Sequence, residues 1–341
     1  MQPGWIAATH HSVGLGRFAL ESGAHIEDCV VSCAVHGDVS DTSLPLVLGL
    51  CAIGSIHHRL DFLIGPGKAL DPGRMRIVVV DALGNGLSSS PSNSSAQPGL
   101  SFPRFGIRDM VASQKAALEA LDLRGAHSAG PDAVVGASMG GMQALQWAVS
   151  YPLAMRKVVA LTPMARTAPW AAAVNEAARQ SLLARIGADG RARPPGLWDG
   201  WTPVMQMLAM RTPAQAQAEF GGAGAMLGWL EKRSAWWAEQ GFDPVDWIYQ
   251  SWAYDGHDLG ATPGFGGDLS KALASVRARM LIGAAGLDLY NPVEAARAAA
   301  DGIPGCDYLE LESDWGHLMA SASDSAAAAA LNARIGAFLA A

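Results

Sequence analysis

The chain contains little cysteine and no long apolar run, and each absence excludes a class of protein. Four cysteines among 341 residues are too few for a disulfide scaffold. They are not joined by other ligands at metal-binding spacing, so we expect no metal site. No uninterrupted apolar segment reaches about 18 residues, and the N-terminal region lacks the apolar run of a signal peptide. We therefore expect a cytoplasmic protein without a membrane partner.

Charge of either sign is also scarce. Charged residues make up 16% of the chain, the formal net charge is −7, and no run of lysine or arginine occurs. Proteins that bind nucleic acids present clustered positive charge to the phosphate backbone. The composition therefore predicts no nucleic-acid partner.

Apolar residues, by contrast, make up 50% of the chain, and many of them form short runs between stretches of helical periodicity. This alternation is typical of a mostly parallel central sheet flanked by helices on both faces. We therefore predict an α/β fold. Its strands are expected over residues 30–35, 44–50, 76–81, 133–137, 158–161, 280–284 and 308–311, and helices over 107–121, 139–150 and 326–341.

The interval from residue 167 to residue 266 lacks the strand rhythm and is rich in tryptophan. We predict that this interval is an inserted helical cap, and that residues 1–166 and 267–341 form the core. Its aromatic side chains could line a substrate pocket, as we expect for Trp170, or form the cap's own small core. The second interpretation is favoured for most of them. The interval holds eight of the eleven tryptophans: Trp170, Trp198, Trp201, Trp229, Trp236, Trp237, Trp247 and Trp252.

A Gly-x-Ser-x-Gly sequence from Gly136 to Gly140 joins a predicted strand to a predicted helix. In this context the motif indicates the nucleophile elbow of an α/β hydrolase, in which a serine lies on a sharp strand-to-helix turn. The glycines allow neighbouring backbone to approach and tolerate unusual dihedral angles. The following helix directs its unpaired N–H groups towards the turn. Ser138 is therefore the predicted nucleophile.

A serine hydroxyl needs a base, and the base needs a group that fixes its tautomer. In α/β hydrolases these residues follow in the order serine, acid, histidine. Only two histidines follow Ser138 in the chain. His257 lies within the predicted cap, whereas His317 follows the last predicted strand. His317 is therefore the predicted base.

The acid is expected directly after the preceding strand, where Asp288 is the first carboxylate. Glu312 and Asp314 are alternatives, but both lie on the strand end that carries the histidine itself. Glu294 is expected in the first turn of a helix. We therefore predict that Asp288 orients the base.

Acyl transfer also needs hydrogen-bond donors for the oxyanion. One donor is expected to be the backbone N–H of Met139, and the second that of Ile53, with Ala52 as the neighbouring alternative. We expect Ala52 to line the substrate pocket as well, together with His57 and with Leu318, which follows the predicted base. For His57, however, a purely structural role is the favoured interpretation.

Several longer stretches resemble the homoserine O-acetyltransferase family of α/β-hydrolase proteins. They are LIGPGKALD at 63–71, IRDMV at 107–111 with Gln114, and GASMGGMQALQW at 136–147 followed by Tyr151 and Pro152. The segment DALGNGLSSSPSN at 81–93 is similar to the hydrolase-like branch of that family. The resemblance implies that Ser138, Asp288 and His317 form a triad that works through an acyl-serine intermediate. It also implies a homodimer.

The chain departs from the pattern of that family where homoserine would be recognised. The family's acetyltransferases usually have an aspartate directly after the histidine, associated with the amino group of homoserine, and here that residue is Leu318. The loop that tends to read His-Ala-Leu-Thr-Gly is CAIGS at 51–55. The family's arginine pattern for an amino-acid carboxylate is also missing, although Arg211 and Arg233 are present without an assigned place.

We therefore predict a serine-dependent acyl hydrolase or acyltransferase that acts on a small, fairly apolar ester, thioester or amide. One alternative is a homoserine O-acetyltransferase, for which acetyl-CoA would be a co-substrate. Another is a catalytically silent ligand-binding protein of the same fold. No cofactor is expected in addition to the small-molecule acyl substrate.

Overall fold

The structure is a computed structural model that describes residues 5–126, 129–187, 190–193 and 195–341, and within these ranges eight strands form one sheet. The strands are β1 (Thr9–Ala19), β2 (His25–His36), β3 (Leu46–Leu50), β4 (Arg76–Val80), β5 (Ala133–Ala137), β6 (Lys157–Leu161), β7 (Arg279–Ala285) and β8 (Asp307–Leu311). Their order across the sheet is β1-β2-β4-β3-β5-β6-β7-β8. The β1–β2 and β2–β4 pairs are antiparallel, and all pairs from β4 to β8 are parallel.

Each face of the sheet has its own apolar core. Successive side chains of a strand point to opposite faces. On β3, Leu46, Leu48 and Leu50 therefore join one core, whereas Val47 joins the core on the other face. Burial on both faces explains why these strands are continuous apolar runs in the sequence.

Helices cover both faces of this sheet. In chain order they are α1 (Ile107–Ala120), α2 (Met139–Ser150), α3 (Pro169–Leu183), α4 (Trp201–Pro203), α5 (Pro213–Glu219), α6 (Ala223–Glu239), α7 (Pro244–Asp255), α8 (Leu269–Ala274), α9 (Val293–Gly302) and α10 (Ser325–Ala340). The first two pack together on one face, and α10 buries Leu331, Ile335 and Phe338 on the other. The predicted α/β fold is confirmed. No helix within the described ranges is long and apolar enough to cross a membrane.

The regular secondary structure of the tryptophan-rich interval consists of helices. It contains α3 to α7, and α4 continues into a π-helical turn over Val204–Ala209. Its two ends meet, because the backbone N–H of Thr167 donates to the carbonyl of His257 at 3.0 Å. An insertion whose ends lie together interrupts the sheet very little, so β6 and β7 remain adjacent.

The N-terminal edge of the sheet differs from the sequence prediction. β1 was not among the predicted strands, and β2 extends beyond the predicted residues 30–35 at both ends. β1 is an edge strand, and Val13 is its one fully buried residue. An edge strand with so little burial has no apolar run to reveal it.

Candidate active site

Ser138 lies between the end of β5 and the start of α2. Its backbone has φ 59° and ψ −125°, a conformation that side-chain-bearing residues rarely adopt. Its own N–H donates to the carbonyl of Leu161 on the neighbouring strand at 2.8 Å, which holds the turn in place. Strained backbone of this kind persists where the surrounding structure determines it, and it is found often at functional sites.

Glycines make room for the turn. A Cβ atom on Gly136 would overlap the carbonyl oxygen of Gly140, and one on Gly140 would overlap the carbonyl oxygen of Leu50. On Gly141, a Cβ atom would lie 2.7 Å from the carbonyl oxygen of Leu161. The turn therefore packs directly against the ends of two neighbouring strands, which places the buried Ser138 side chain at the carboxyl edge of the sheet.

Ser138, His317 and Asp288 form one continuous chain of hydrogen bonds. The Oγ of Ser138 lies 2.8 Å from Nε2 of His317, and Nδ1 of His317 lies 2.7 Å from Oδ2 of Asp288. The histidine and aspartate side chains are 3% and 1% exposed, so solvent hardly competes for these bonds. This is the geometry in which a carboxylate orients an imidazole and the imidazole accepts a proton from serine.

The carboxylate of Asp288 is itself held by its own loop. Its Oδ1 accepts hydrogen bonds from the backbone N–H groups of Tyr290 at 2.8 Å and Asn291 at 2.9 Å. The ring of Tyr290 also packs edge-on against the His317 imidazole, with 5.1 Å between the ring centres. One carboxylate oxygen is therefore fixed by the backbone and the other is left for His317.

The two backbone N–H groups predicted as oxyanion donors are free to act as donors. Within the described ranges, the N–H groups of Met139 and Ile53 have no hydrogen-bond partner in the protein. Met139 is the first residue of α2, so its N–H lies among the unpaired donors of the helix N-terminus. Ile53 lies in the loop after β3 and lines the cavity that Ser138 lines. The neighbouring Ala52 also lines this cavity and has an unpaired N–H.

A cavity of about 850 Å³ opens above Ser138, between the core and the tryptophan-rich helices. That volume is within the usual range for small-molecule sites. Ser138, His317 and Leu318 lie on the core side of it. Five tryptophans of the helical interval line the cavity: Trp198, Trp201, Trp229, Trp237 and Trp247.

The two interpretations of the cap tryptophans, a pocket wall and a small core of the cap, are therefore not exclusive. Four of the five that line the cavity serve both purposes, because Trp198, Trp201, Trp237 and Trp247 also contact one another, whereas Trp229 packs against Phe220. The ring centres of Trp198 and Trp201 are 5.2 Å apart, and those of Trp201 and Trp237 are also 5.2 Å apart. The small aromatic core of the cap is thus also the wall of the cavity.

Two predicted pocket residues lie elsewhere. His57 is not a cavity residue, because its Nδ1 lies 3.0 Å from Oδ2 of Asp81 and its backbone N–H donates to Oδ1 of the same carboxylate. Its role is structural. Trp170 is 52% exposed on the outside of α3, where its indole N–H donates to the carbonyl of Leu289. The prediction that Trp170 lines the pocket was therefore wrong. The structural role favoured for His57 agrees with its contacts to Asp81, and Ala52 and Leu318 do line the cavity.

The residues that competed for the triad roles are placed apart from the serine. Asp314 and Glu312 are exposed after β8, and Glu294 lies in the first turn of α9. His257 is fully buried at the end of the cap, and burial lowers its pKa to about 4. None of these four residues lines the cavity.

Several charged residues of the cavity were not recognised as such in the sequence. Arg211 and Arg233 both line it, as do Asp243 and Asp246 near the start of α7. Burial raises the pKa of Asp246 to about 7, and Ser92 counteracts this by donating to its carboxylate from both side chain and backbone. No sequence motif surrounds these residues, so only the fold reveals that they share a site. Within the described ranges, no group of three or more histidine, cysteine or acidic side chains could hold a metal ion.

The fold and the site together define an α/β hydrolase. A family profile described as "alpha/beta hydrolase fold" matches residues 46–185, which span β3 to the helix after β6. The chain is also similar to acetyl esterases of known structure. Its TM-score to the acetyl esterase MekB is 0.87 at 24% identity, with 98% of this chain and 97% of that chain covered. An acetylester hydrolase from Corynebacterium glutamicum matches with a TM-score of 0.86 at 22% identity, covering 98% and 96%.

Similar sequences narrow the classification. The chain is 30% identical to an ethyl acetate hydrolase of Pseudomonas veronii over 90% of this chain and 88% of that protein. It is 34% identical to a homoserine O-acetyltransferase of Thermobifida fusca over 75% of this chain and 71% of that protein. The chain therefore belongs to the homoserine O-acetyltransferase family of α/β-hydrolase proteins, which the sequence motifs predicted, and it is an acyl hydrolase or acyltransferase.

Proposed function

We propose that this protein hydrolyses small acyl esters through an acyl-serine intermediate, with Ser138 as nucleophile and water as the final acceptor. The observation that carries the proposal is the hydrogen-bonded chain from Ser138 through His317 to Asp288, opening into a largely apolar cavity. The reaction needs no metal or organic cofactor, because the nucleophile, the base and the oxyanion donors all come from the chain.

In the first half of the reaction, Oγ of Ser138 attacks the carbonyl carbon of the ester, and its proton passes to Nε2 of His317. The carbonyl oxygen becomes an oxyanion, and the free N–H groups of Met139 and Ile53 stabilise it. The carbon–oxygen bond to the alcohol then breaks, and His317 returns the proton to the departing alcohol. The product of this half is an ester between the acyl group and Ser138.

In the second half, water takes the place of the alcohol. His317 accepts a proton from water while the water oxygen attacks the acyl carbon, and the same two N–H groups stabilise the second oxyanion. The bond to Oγ of Ser138 breaks, the proton returns to Oγ, and the carboxylic acid leaves. Asp288 stays ionised throughout and stabilises the imidazolium that forms in each half.

Leu318 favours water over an amino acid as the acceptor. It lines the cavity directly beside His317, and an apolar side chain cannot pair with an ammonium group. The similarity to an ethyl acetate hydrolase over 90% of this chain supports the same choice. Homoserine acetylation is the second candidate, because the similarity to homoserine O-acetyltransferases covers up to 92% of this chain.

The proposal is tested with a panel of short-chain esters and a serine-directed fluorophosphonate. We expect the wild-type protein to hydrolyse acetyl esters and to be labelled at Ser138, and Ser138→Ala to lose both properties. Ser150→Ala is the matched control, because this serine ends α2 outside the cavity and should leave hydrolysis and labelling unchanged. Retention of wild-type activity by Ser138→Ala would overturn the mechanism. No hydrolysis of any ester, combined with tight ligand binding, would instead indicate a binding protein.

The acceptor is tested separately with acetyl-CoA. If water is the acceptor, the rate of CoA release should not change when homoserine is added. Release that depends on homoserine, together with formation of O-acetylhomoserine, would make this chain an acetyltransferase.

Two broader properties complete the proposal. We propose a homodimer because of the resemblance to the family. Sedimentation analysis would compare its mass with the 35.5 kDa of one chain.

We also propose a cytoplasmic location, which agrees with four cysteines that are all free thiols. Fractionation of the source cells would test the location.

A further inference from the structure

Two buried glutamines and a tryptophan form a chain of hydrogen bonds next to the elbow, which we call the glutamine chain. Gln143 and Trp147 lie one turn apart on α2, and Gln114 lies on α1, which packs against α2. The three residues are at most 1% exposed. All three belong to the stretches that resemble the family, yet the reaction steps proposed above use none of them. Burying polar side chains is costly unless they are hydrogen-bonded, so their bonds indicate what they hold in place.

The direction of the hydrogen bonds in the glutamine chain is fixed at one end by Trp147. An indole N–H can only donate, and Nε1 of Trp147 donates to Oε1 of Gln114 at 2.7 Å. The amide nitrogen of Gln114 therefore points the other way, where it donates to Oε1 of Gln143 at 2.5 Å. As a result, the Nε2 group of Gln143, with its two hydrogens, is directed at the far end of the chain.

At that far end, Gln143 donates to two backbone carbonyls. Its Nε2 lies 3.0 Å from the carbonyl oxygen of Cys51 and 3.2 Å from that of Met139. A carbonyl can only accept, so the acceptors at this end match the donor that Trp147 supplies at the other end. Both amide hydrogens and the amide oxygen of Gln143 are used, which holds the side chain in one orientation.

The two carbonyls belong to the two parts of the chain that supply the candidate oxyanion donors. Met139 begins α2, and its own N–H is the first of these donors. Cys51 directly precedes Ala52 and Ile53, whose N–H groups have no partner within the described ranges. One amide group therefore joins the helix that carries the first donor to the loop that carries the second.

The donors of this loop are oriented through the carbonyls of the same peptide units. A peptide unit is planar and trans, so its C=O and its N–H point in opposite directions. Holding the Cys51 carbonyl towards Gln143 therefore fixes the direction of the Ala52 N–H. In the next peptide, the carbonyl of Ala52 accepts from the N–H of Ser55 at 3.2 Å and from its hydroxyl at 2.8 Å. These two bonds fix the direction of the Ile53 N–H.

We propose that Gln143 is a positioning residue for the oxyanion site, because it sets where the loop after β3 lies relative to the Met139 N–H. This inference rests on the proposed ester hydrolysis. A donor stabilises an oxyanion only at hydrogen-bond distance, and a displacement of about 1 Å can lower the rate by about 100-fold. Gln143 does not line the cavity, so its effect reaches the substrate through the two carbonyls that it binds.

The test replaces Gln143 by methionine, which is unbranched and of similar length but cannot donate to the carbonyls. We expect kcat for a neutral acetyl ester to fall by about 10- to 100-fold and KM to stay within about twofold of the wild type. The loss should appear in kcat because the donors act on charge that develops in the transition state. An alkylboronic acid, which forms a tetrahedral anion on Ser138, should lose affinity by a similar factor.

Gln146→Met is the matched control. Gln146 lies on the same helix, is equally buried, and donates to the hydroxyls of Ser150 at 2.8 Å and Thr262 at 3.0 Å. Neither of these two acceptors lines the cavity. The control thus removes the same buried amide from the same helix and should cost similar stability. Its kcat and its boronate affinity should stay within about twofold of the wild type.

Gln114→Met tests the glutamine chain one link further from the site. This variant keeps the Gln143 side chain but removes the donor that fixes its orientation. We expect kcat to fall by about three- to tenfold with unchanged KM, the rate equivalent of one hydrogen bond. This variant decides the question if Gln143→Met does not fold.

Wild-type kcat in Gln143→Met, or in Gln114→Met where only the latter folds, would overturn the positioning role. Equal losses in Gln143→Met and Gln146→Met would also overturn it, as would a raised KM at unchanged kcat, which indicates a loss of ground-state binding. Failure of the proposed function is a different result, namely a wild-type protein that hydrolyses no ester. The same variants would then be compared by their rates of fluorophosphonate labelling at Ser138, which also places an oxygen in the oxyanion site.

Discussion

The two oxygens of Asp288 have different tasks, and this gives a prediction at the scale of one residue. One oxygen accepts from the backbone of Tyr290 and Asn291, and the other holds Nδ1 of His317. In Asp288→Asn, the amide can keep the backbone bonds but would offer an N–H group to Nδ1. The imidazole would then carry its proton on Nε2, where it cannot act as a base. We expect kcat to fall by about 10³- to 10⁴-fold with little change in KM.

The control for this prediction is Asp314→Asn, which makes the same chemical change in the loop before His317. Asp314 is exposed, and its backbone carbonyl, which accepts from the hydroxyl of Thr212, is unaffected by the change. Its kcat should stay within about twofold of the wild type, as is usual for surface substitutions. Equal losses in the two variants would show that Asp288 has no specific role in orienting His317.

Single residues also show where sequence reasoning succeeded and where it failed. Asp288 and His317 could be placed because each follows an apolar run that forms a parallel strand, and the carboxyl ends of such strands meet at one edge. Trp170 and His57 could not be placed, because no pattern shows which way a helix or loop side chain points. Trp170 lies on the outer side of its helix, and Asp81 binds His57.

The elbow between β5 and α2 is the element on which the site depends most. Ala at position 140 would force a Cβ atom into the carbonyl oxygen of Leu50, which belongs to a central strand and cannot move freely. We expect Gly140→Ala to destabilise the protein by more than about 3 kcal/mol, the range of severe overpacking, or to prevent folding. Chemical denaturation measures the loss of stability.

Gly228→Ala serves as the comparison. Gly228 lies within α6, and a Cβ atom there would meet nothing within 4 Å. Alanine should stabilise this helix by roughly 0.5 to 1 kcal/mol, because it has the higher helix propensity. A Gly140→Ala protein as stable as the wild type would contradict the close approach of α2 to β3.

Elements with one exposed face were harder to predict than buried ones. Most of the parallel strands and α2 are visible in the sequence because they are buried and largely apolar. β1 is not, since most of its side chains face solvent at the edge of the sheet. The shared location of Arg211 and Arg233 in the cavity wall was also hard to predict. Their common site depends on how α6 and the segment before α5 pack, which is a tertiary property that residue spacing does not encode.

At the scale of the whole molecule, the fold assembles one site from distant parts of the chain. Ile53, Ser138, Asp288 and His317 follow β3, β5, β7 and β8, and the cap adds the aromatic and cationic wall. The core thus supplies the triad, and the cap forms the wall of the cavity above it. This division explains why the acyl chemistry could be predicted from short motifs, whereas the selection of substrate could not.

The joint between cap and core, where Thr167 meets His257, makes the stability of the molecule dependent on pH. His257 accepts from Thr167 through its carbonyl, and burial lowers the pKa of its ring from 6.5 to about 4. The unfolded chain therefore binds a proton at this residue between those values and the folded chain does not. The contribution of His257 to the free energy of unfolding is therefore complete above pH 6.5, and it is lost as the pH falls towards 4. Asp246, whose pKa is raised to about 7, acts in the opposite sense and stabilises the fold as the pH falls.

His257→Gln separates the two effects, because it removes the histidine contribution and leaves that of Asp246. Between about pH 7.5 and 4.5, the free energy of unfolding should fall less in this variant than in the wild type. We expect the difference to be about 2 to 3 kcal/mol, because a shift of one pKa unit corresponds to about 1.36 kcal/mol. Chemical denaturation at both pH values measures the difference. His11→Gln, on the edge strand β1, should match the wild-type pH dependence. An identical pH dependence in wild type and His257→Gln would mean that this histidine is protonated in the folded protein, which would require the joint between cap and core to admit water.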